Sequence, residues 1–190
     1  METARKFTSA DLALMPDDDG NRYEIIEGDL YVSKLPSAEH QFICGQLFRY
    51  LQDWNDQSGR GVALIAPGLV FADDDDVGPD VVWVSHERLA GTLDQAGHLT
   101  KAPELVVEVL SPGKRNEYRD RVAKLKLYSR RGVSEYWIVD WVRRLVEVYR
   151  REGDALKPAA TLHADDALES PLLPGFSCLV SKLFFVRPSS

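Results

Sequence analysis

The chain has no apolar run long enough to cross a bilayer, no internal repeat, no low-complexity linker, and only two cysteines among 190 residues. The first absence removes a helical membrane span, which needs about 20 consecutive apolar residues. The second removes a solenoid or propeller. Cys44 and Cys178 stand alone, without metal-ligand spacing or a nearby His, and a buried free thiol is expected for each. The opening Met1-Glu2-Thr3-Ala4-Arg5-Lys6 is not followed by an apolar core, so no signal peptide is expected. These readings together point to the cytoplasm and to no membrane partner. What is present is ordinary globular composition, 44% hydrophobic and 28% charged, over a length that suits a single domain spanning residues 1–190.

The net charge of −7 argues against nonspecific coating of nucleic acid. Its distribution says more. Residues 114–151 hold 12 Lys and Arg against 5 Asp and Glu, a local +7, so the remainder carries −14. One basic segment sits inside an acidic protein, either as a solvated helix face or as a phosphate-facing patch.

Periodicity outlines an α/β chain. Thr8-Ser9-Ala10-Asp11 caps a short helix ending before Pro16, and Asp17-Asp18-Asp19-Gly20 reads as a turn. Residues 22–27 and 29–32 form a hairpin about Gly28. Ser37 caps a helix reaching about residue 57, with Phe42, Ile43, Leu47, Leu51 and Trp54 on one face. Strands are expected over 61–66 and 69–71, joined at Pro67-Gly68, and over 80–84. A further strand at 104–110 is apolar enough to be covered on both faces. A helix over 115–131 with Val122, Leu125, Leu127 and Tyr128 inward is stopped by Gly132, and strands follow at 134–140 and 144–150. Strand 104–110, helix and strand 134–140 predict a parallel crossover. The tail, with Leu172, Phe176 and residues 183–186, packs back on the body. The expected architecture is a mixed β-sheet flanked by helices.

The chemistry concentrates in three places. Pro79-Asp80 opens one strand, Glu108 stands near the end of an otherwise apolar strand, and Asp120 and Lys124 lie four apart on the next helix. A hard divalent cation takes oxygen ligands, and Mg²⁺ commonly uses one or two carboxylates with water. Asp80 and Glu108 supply those carboxylates, and the carbonyl of Val109 a third oxygen. Such a metal polarises a phosphate and lowers the pKa of bound water, while an amine at Lys124 orients the water or offsets charge on the phosphorane-like oxygens. Each residue also has a plainer reading: a turn cap for Asp80, a buried ion pair for Glu108, a surface i, i+4 pair for Asp120 and Lys124, and a structural histidine for His40. Asp73-Asp74-Asp75-Asp76 reads as a solvated loop.

Six segments carry a family likeness. They are Tyr23-Glu24-Ile25-Ile26-Glu27-Gly28, Pro36-Ser37-Ala38-Glu39-His40, Pro79-Asp80-Val81-Val82, the run from Leu105 to Pro112, Asp120-Arg121-Val122-Ala123-Lys124, and the run from Gly132 to Asp140. Through them, from about Tyr23 to Tyr149, the chain resembles the Uma-two family, relatives of PD-(D/E)xK restriction endonucleases. The resemblance implies a restriction-endonuclease-like core with Asp80, Glu108 and Lys124 as the nuclease triad, and Glu24 and His40 near the same cleft. Leu110 stands where a standard (D/E)xK motif has its lysine, so the amine must come from the following helix. The expected function is a Mg²⁺- or Mn²⁺-dependent DNA endonuclease acting as a homodimer. The alternative is a nucleic-acid-binding or scaffold protein that keeps the fold without cleaving. On this reading Lys124→Ala abolishes cleavage with the fold intact, and Lys126, about 200° further round the helix, points elsewhere.

Overall fold

A computed structural model describes residues 5–16 and 19–185. Asp17, Asp18 and Val186 of the expected turn and tail lie outside them. After α1 (Ser9–Leu12), strands β1 (Asn21–Ile26) and β2 (Asp29–Lys34) form an antiparallel hairpin. Its turn places both Glu27 and Gly28 at positive φ, 52° and 76°, the geometry that matches the twist of paired strands.

Helix α2 (Ala38–Ser58) starts where the Ser37 side chain accepts the His40 N–H and ends at Gly59 in the left-handed region. Its buried side is His40, Ile43, Cys44, Leu47, Leu51 and Asn55. Phe42, expected on that face, is instead half-exposed and packs edge-on against Phe185.

Strands β3 (Gly61–Ile65), β4 (Leu69–Ala72), β5 (Asp75–Val77) and β6 (Val81–Ser85) do not form a simple meander. β3 joins a six-stranded sheet and β4 a four-stranded one, ordered β2-β1-β5-β4, so Pro67-Gly68 passes between sheets. The short α3 (His86–Leu89) precedes β7 (Leu105–Val109), buried throughout as its sequence requires. The crossover comprises α4 (Lys114–Tyr118), a six-residue π-helical segment (Arg119–Lys124) and α5 (Leu125–Arg131), stopped by left-handed Gly132. β8 (Glu135–Asp140) then pairs parallel with β7. β9 (Leu145–Glu152) and β10 (Ala155–Leu162) complete the large sheet, ordered β10-β9-β8-β7-β6-β3, and β11 (Ala167–Glu169) pairs with β12 (Ser177–Leu179). The mixed sheet flanked by helices is as expected. β10 to β12 have no counterpart in the sequence reading. β10 is a mostly exposed edge strand, bulged near Pro158, and carries no alternating signal. Among the described residues no helix is long and apolar enough to cross a membrane.

The large sheet is buried on both faces. Val81, Trp83, Val107 and Trp137 pack on α2, while Val82, Val106 and Ile138 pack on Leu127 and Tyr128 of α5 and on Ile26 and Val77 of the small sheet. Val122 is half-exposed rather than inward.

The acidic run is a second departure. Asp75 is buried within β5 and accepts hydrogen bonds from the Glu27 N–H (2.8 Å), Arg130 (2.7 Å) and Arg131 (2.5 Å). It ties the small sheet to α5. Asp75→Ala is expected to lower the midpoint of urea unfolding, with a loss of about 2–3 kcal/mol. Three bonds to a buried carboxylate vanish, while the guanidiniums remain partly in water.

Candidate active site

Strand geometry brings the first two carboxylates together. β6 and β7 pair antiparallel with Val81 opposite Val107. Continuing that register by one residue sets Asp80 opposite Glu108, on the same face of the sheet. The Val109 N–H donates to Asp80 Oδ2 at 2.8 Å. Since N–H and C=O of one strand residue point the same way, the Val109 carbonyl faces the same edge, past the last ladder pair.

The crossover brings the amine. The π-helical segment widens the helix locally and buries Arg119, Asp120 and Lys124 together. Lys124 Nζ lies 2.8 Å from Glu24 Oε1 and 2.9 Å from Glu108 Oε1. Tyr128, one turn on, donates its hydroxyl to the same Glu108 oxygen at 2.8 Å. Glu24, from β1, also accepts the Gly78 N–H at 3.0 Å. Asp120 is 4.0 Å from Lys124 and is held instead by Arg119 through two hydrogen bonds of 2.7 and 3.0 Å. It thus stands behind the amine. His40 Nε2 is 3.2 Å from Asp80 Oδ2, and its Nδ1 is 3.5 Å from Cys44 Sγ. Lys126 lies on the surface against Glu27.

All six residues singled out from sequence are buried, none above 7% exposed, and the surroundings of the four carboxyls push their protonation apart. Burial opposes charge on Asp80, but the hydrogen bond and charge of His40, with Arg22 and Lys124, outweigh it and hold the carboxyl far below its usual range. Glu24 is likewise desolvated, yet Lys124, Arg22 and Arg119 bring it down to about 2. At Glu108 desolvation dominates, Lys124 opposes it only in part, and Asp80, Asp120 and Glu24 add repulsion, so its carboxyl is pushed up to about 8. Burial also raises Asp120. Three neighbouring carboxylates with different burdens make a graded acidic cage rather than a uniform one.

The chemistry of the acidic set suits a hard cation: Asp80, Glu108 and Glu24 carry carboxylates and Val109 a carbonyl, the oxygen ligands such an ion takes. The ligand atoms that the fold brings within 4.8 Å of one another among the described residues, however, are those of His40, Cys44 and Asp80. In the metal-free protein this set is a hydrogen-bond relay: desolvation raises the Cys44 thiol far above its ordinary range, and the thiol engages His40 Nδ1.

A cavity of about 320 Å³ opens beside the cage, lined by Lys34, Ser37, His40, Ser111, Asn116 and Trp141 among others. Of the six residues only His40 reaches it. Sequence reading missed Arg22, Arg119, Tyr128 and Cys44. The expectation that Cys44 has no nearby His is overturned: one helical turn, the i, i+4 spacing, sets His40 Nδ1 3.5 Å from its Sγ. Arg22 and Arg119 had no signal beyond the rarity of buried guanidiniums. The basic segment is largely consumed internally: Arg121 serves Glu117, Asp140 and Glu147, and Arg130 and Arg131 serve Asp75.

Comparison with known proteins adds the lineage. No curated protein sequence matches the chain. Among solved structures it is similar to one titled "Crystal structure of a putative nuclease belonging to DUF820 from Anabaena variabilis ATCC 29413 at 1.96 A resolution". The identity is 17% and the TM-score 0.74, over 94% of this chain and 97% of the other. At that identity the likeness concerns the fold. A type IIG restriction endonuclease, BpuSI, overlaps 80% of this chain and 16% of its own at 16% identity, with a TM-score of 0.39, and carries no argument. The family profile described as "Uma2: Putative restriction endonuclease" matches residues 9–181. With nearly the whole chain covered, and the fold shared with a structure of that likeness, the protein belongs to the Uma2 family of restriction-endonuclease-like proteins.

Proposed function

We propose that the protein is a Mg²⁺- or Mn²⁺-dependent nuclease that hydrolyses phosphodiester bonds in DNA. The observation that carries this reading is the amine of Lys124, delivered by a π-helical segment to 2.9 Å from Glu108 and 2.8 Å from Glu24. Desolvating a lysine among carboxylates at the end of adjacent strands is costly, and clusters of this kind gather at functional sites. The family description and the nuclease title of the Anabaena structure support the same reading.

Asp80, Glu108 and the Val109 carbonyl would hold the metal, with Glu24 beside them. A bound divalent ion supplies Lewis acidity and a more acidic water. The chain's own residues do the rest. Val109 N–H and His40 orient the Asp80 carboxylate, and the Tyr128 hydroxyl orients Glu108. Lys124 holds a proton at Nζ, where it stabilises charge developing on the phosphate oxygens. Asp120 keeps Arg119 in place behind it. The cavity beside His40 is where the phosphate backbone would approach.

The test is cleavage of supercoiled plasmid, single-stranded DNA and RNA by the purified protein with Mg²⁺ or Mn²⁺ at fixed salt. Metal-dependent nicking of DNA, lost in Asp80→Asn, is expected. A second reading, a binding protein that no longer cleaves, is favoured by the pairing of Lys124 with Glu24 and Glu108 and by the ion pairs that take up much of the basic segment. DNA binding without cleavage under any of these conditions would establish it. We also propose a cytoplasmic homodimer, since two symmetric sites suit two antiparallel strands. A monomer by light scattering at high concentration would overturn the dimer.

A further inference from the structure

One cation in the cage has no part in the proposed chemistry. Arg22, on β1 two residues before Glu24, lays its guanidinium across Asp80, with Nη1 3.2 Å from Oδ1. Nη2 stands 3.9 Å from Glu24 Oε1, and this buried nitrogen lacks a hydrogen-bond partner. The group therefore spans two carboxylates while leaving one of its own donors unsatisfied. Its place is cut out by Gly78, where an added Cβ would lie 2.7 Å from Nη2 and 3.5 Å from Cζ. Gly78 is outside the left-handed region, so the space, not the backbone, asks for glycine.

The three fixed cations differ in how firmly they are held. Arg119 is gripped by two hydrogen bonds to Asp120, and Lys124 is fully buried between Glu24 and Glu108. Arg22 makes one hydrogen bond to the cage, and its side chain is 31% exposed. It is the one with a route to solvent. We propose that Arg22 is a positioning residue that serves as the built-in counter-ion of Asp80 and Glu24 in the metal-free protein and leaves them when a divalent cation enters, so that it sets the metal affinity of the site. This rests on the metal-site reading above. A guanidinium and a metal ion cannot share one face of Asp80 Oδ1, and their like charges repel in a desolvated cage.

The test is calorimetric titration of Mn²⁺ into the metal-free protein at fixed pH and ionic strength. The variants are Arg22→Ala, Arg22→Lys, Gly78→Ala and Asp80→Asn. Arg22→Ala should bind Mn²⁺ roughly tenfold tighter, because a competing charge is removed. Gly78→Ala, which displaces the guanidinium without deleting it, should tighten binding in the same direction. Arg22→Lys should stay near the parent. Metal-free Arg22→Ala should melt below the parent and gain more in Tm from Mn²⁺. A merely structural arginine predicts binding that is equal or weaker in every variant. If Arg22→Ala and Gly78→Ala bind no tighter while Asp80→Asn binds more weakly, the role of Arg22 is overturned and the site stands. If Asp80→Asn binds as tightly as the parent, the metal site itself falls, and Arg22 with it. Should the parent bind too weakly to measure, binding by either tightened variant supports the proposal, and binding by neither overturns it. Where Arg22→Ala does not fold, Gly78→Ala carries the comparison.

Discussion

Lys124→Met is expected to abolish metal-dependent cleavage and also to weaken the fold, whereas Lys126→Ala should do neither. The second half of the first effect departs from what the sequence suggests. Lys124 is fully buried and holds Glu24 and Glu108 at 2.8 and 2.9 Å. Removing the amine leaves two carboxyls facing each other without their shared cation. Glu108 already tends to the neutral form, but Glu24 is held near 2 chiefly by Lys124 and would have to take up a proton or stay charged with only the longer ionic contacts to Arg119 (3.7 Å) and Arg22 (3.9 Å). Breaking a buried pair in this way costs about 3–5 kcal/mol. Methionine fills the volume, so the loss reports charge rather than a void. Cleavage should fall by about 10² to 10³ or more, the range seen when a positioned group stabilising the transition state is deleted. Lys126, exposed on Glu27, should shift stability within about 0.5 kcal/mol. Plasmid nicking and urea unfolding, run on both variants at one salt concentration, check this. Equal losses of cleavage from both would mean a diffuse basic surface rather than a catalytic amine.

Glu108→Gln should separate function from fold. Glu108 Oε1 accepts from Lys124 and from Tyr128, and a glutamine carbonyl can accept both bonds. The neutral form is what desolvation already favours in the metal-free protein, where the carboxyl is raised from its ordinary 4.5 to about 8. A group raised on folding contributes stability that is fully present below 4.5, falls as pH rises, and is gone above about 8. The parent should therefore lose stability as pH rises from about 4.5 to about 8 in chelator, by an amount on the order of a few kcal/mol. Glu108→Gln should show a flatter profile over that range. Its Mn²⁺ binding and cleavage should be lost at every pH, because an anionic ligand is gone. In the parent, metal binding should strengthen as pH rises through about 8, since the ion must displace the Glu108 proton. A parallel pH profile for the two metal-free proteins would show that Glu108 is not the titrating group.

How much of this was legible in the chain differs from element to element. The β7–β8 crossover was clear because buried parallel strands must be apolar throughout, and 105–109 and 135–140 are apolar enough to say so. The α2 face was mostly clear from its period. β10 was not, because an exposed edge strand with a proline at its bulge needs no pattern. The acidic run was misread, since four adjacent aspartates repel in isolation, and only Arg130 and Arg131 from α5 make Asp75 a buried anchor. Neither reading of the basic segment, solvated face or phosphate-facing patch, foresaw that Arg130 and Arg131 answer the distant Asp75, while Arg121 answers Glu117, Asp140 and Glu147 within the segment.

By itself, then, the sequence determined that Asp80, Glu108 and Lys124 are anomalous. A carboxylate in an apolar strand and a lysine one turn past an aspartate are costly wherever they are buried, and that cost is local. What they do together was a tertiary decision. The register of β6 on β7 sets Asp80 opposite Glu108. The π-helical turn swings Lys124 inward past Asp120, and the β1 hairpin adds Glu24 and Arg22 from some 60 to 100 residues away. Charge pairing in a desolvated site depends on distances of a few ångströms, and separation along a chain carries almost no information about those distances until the sheets have closed.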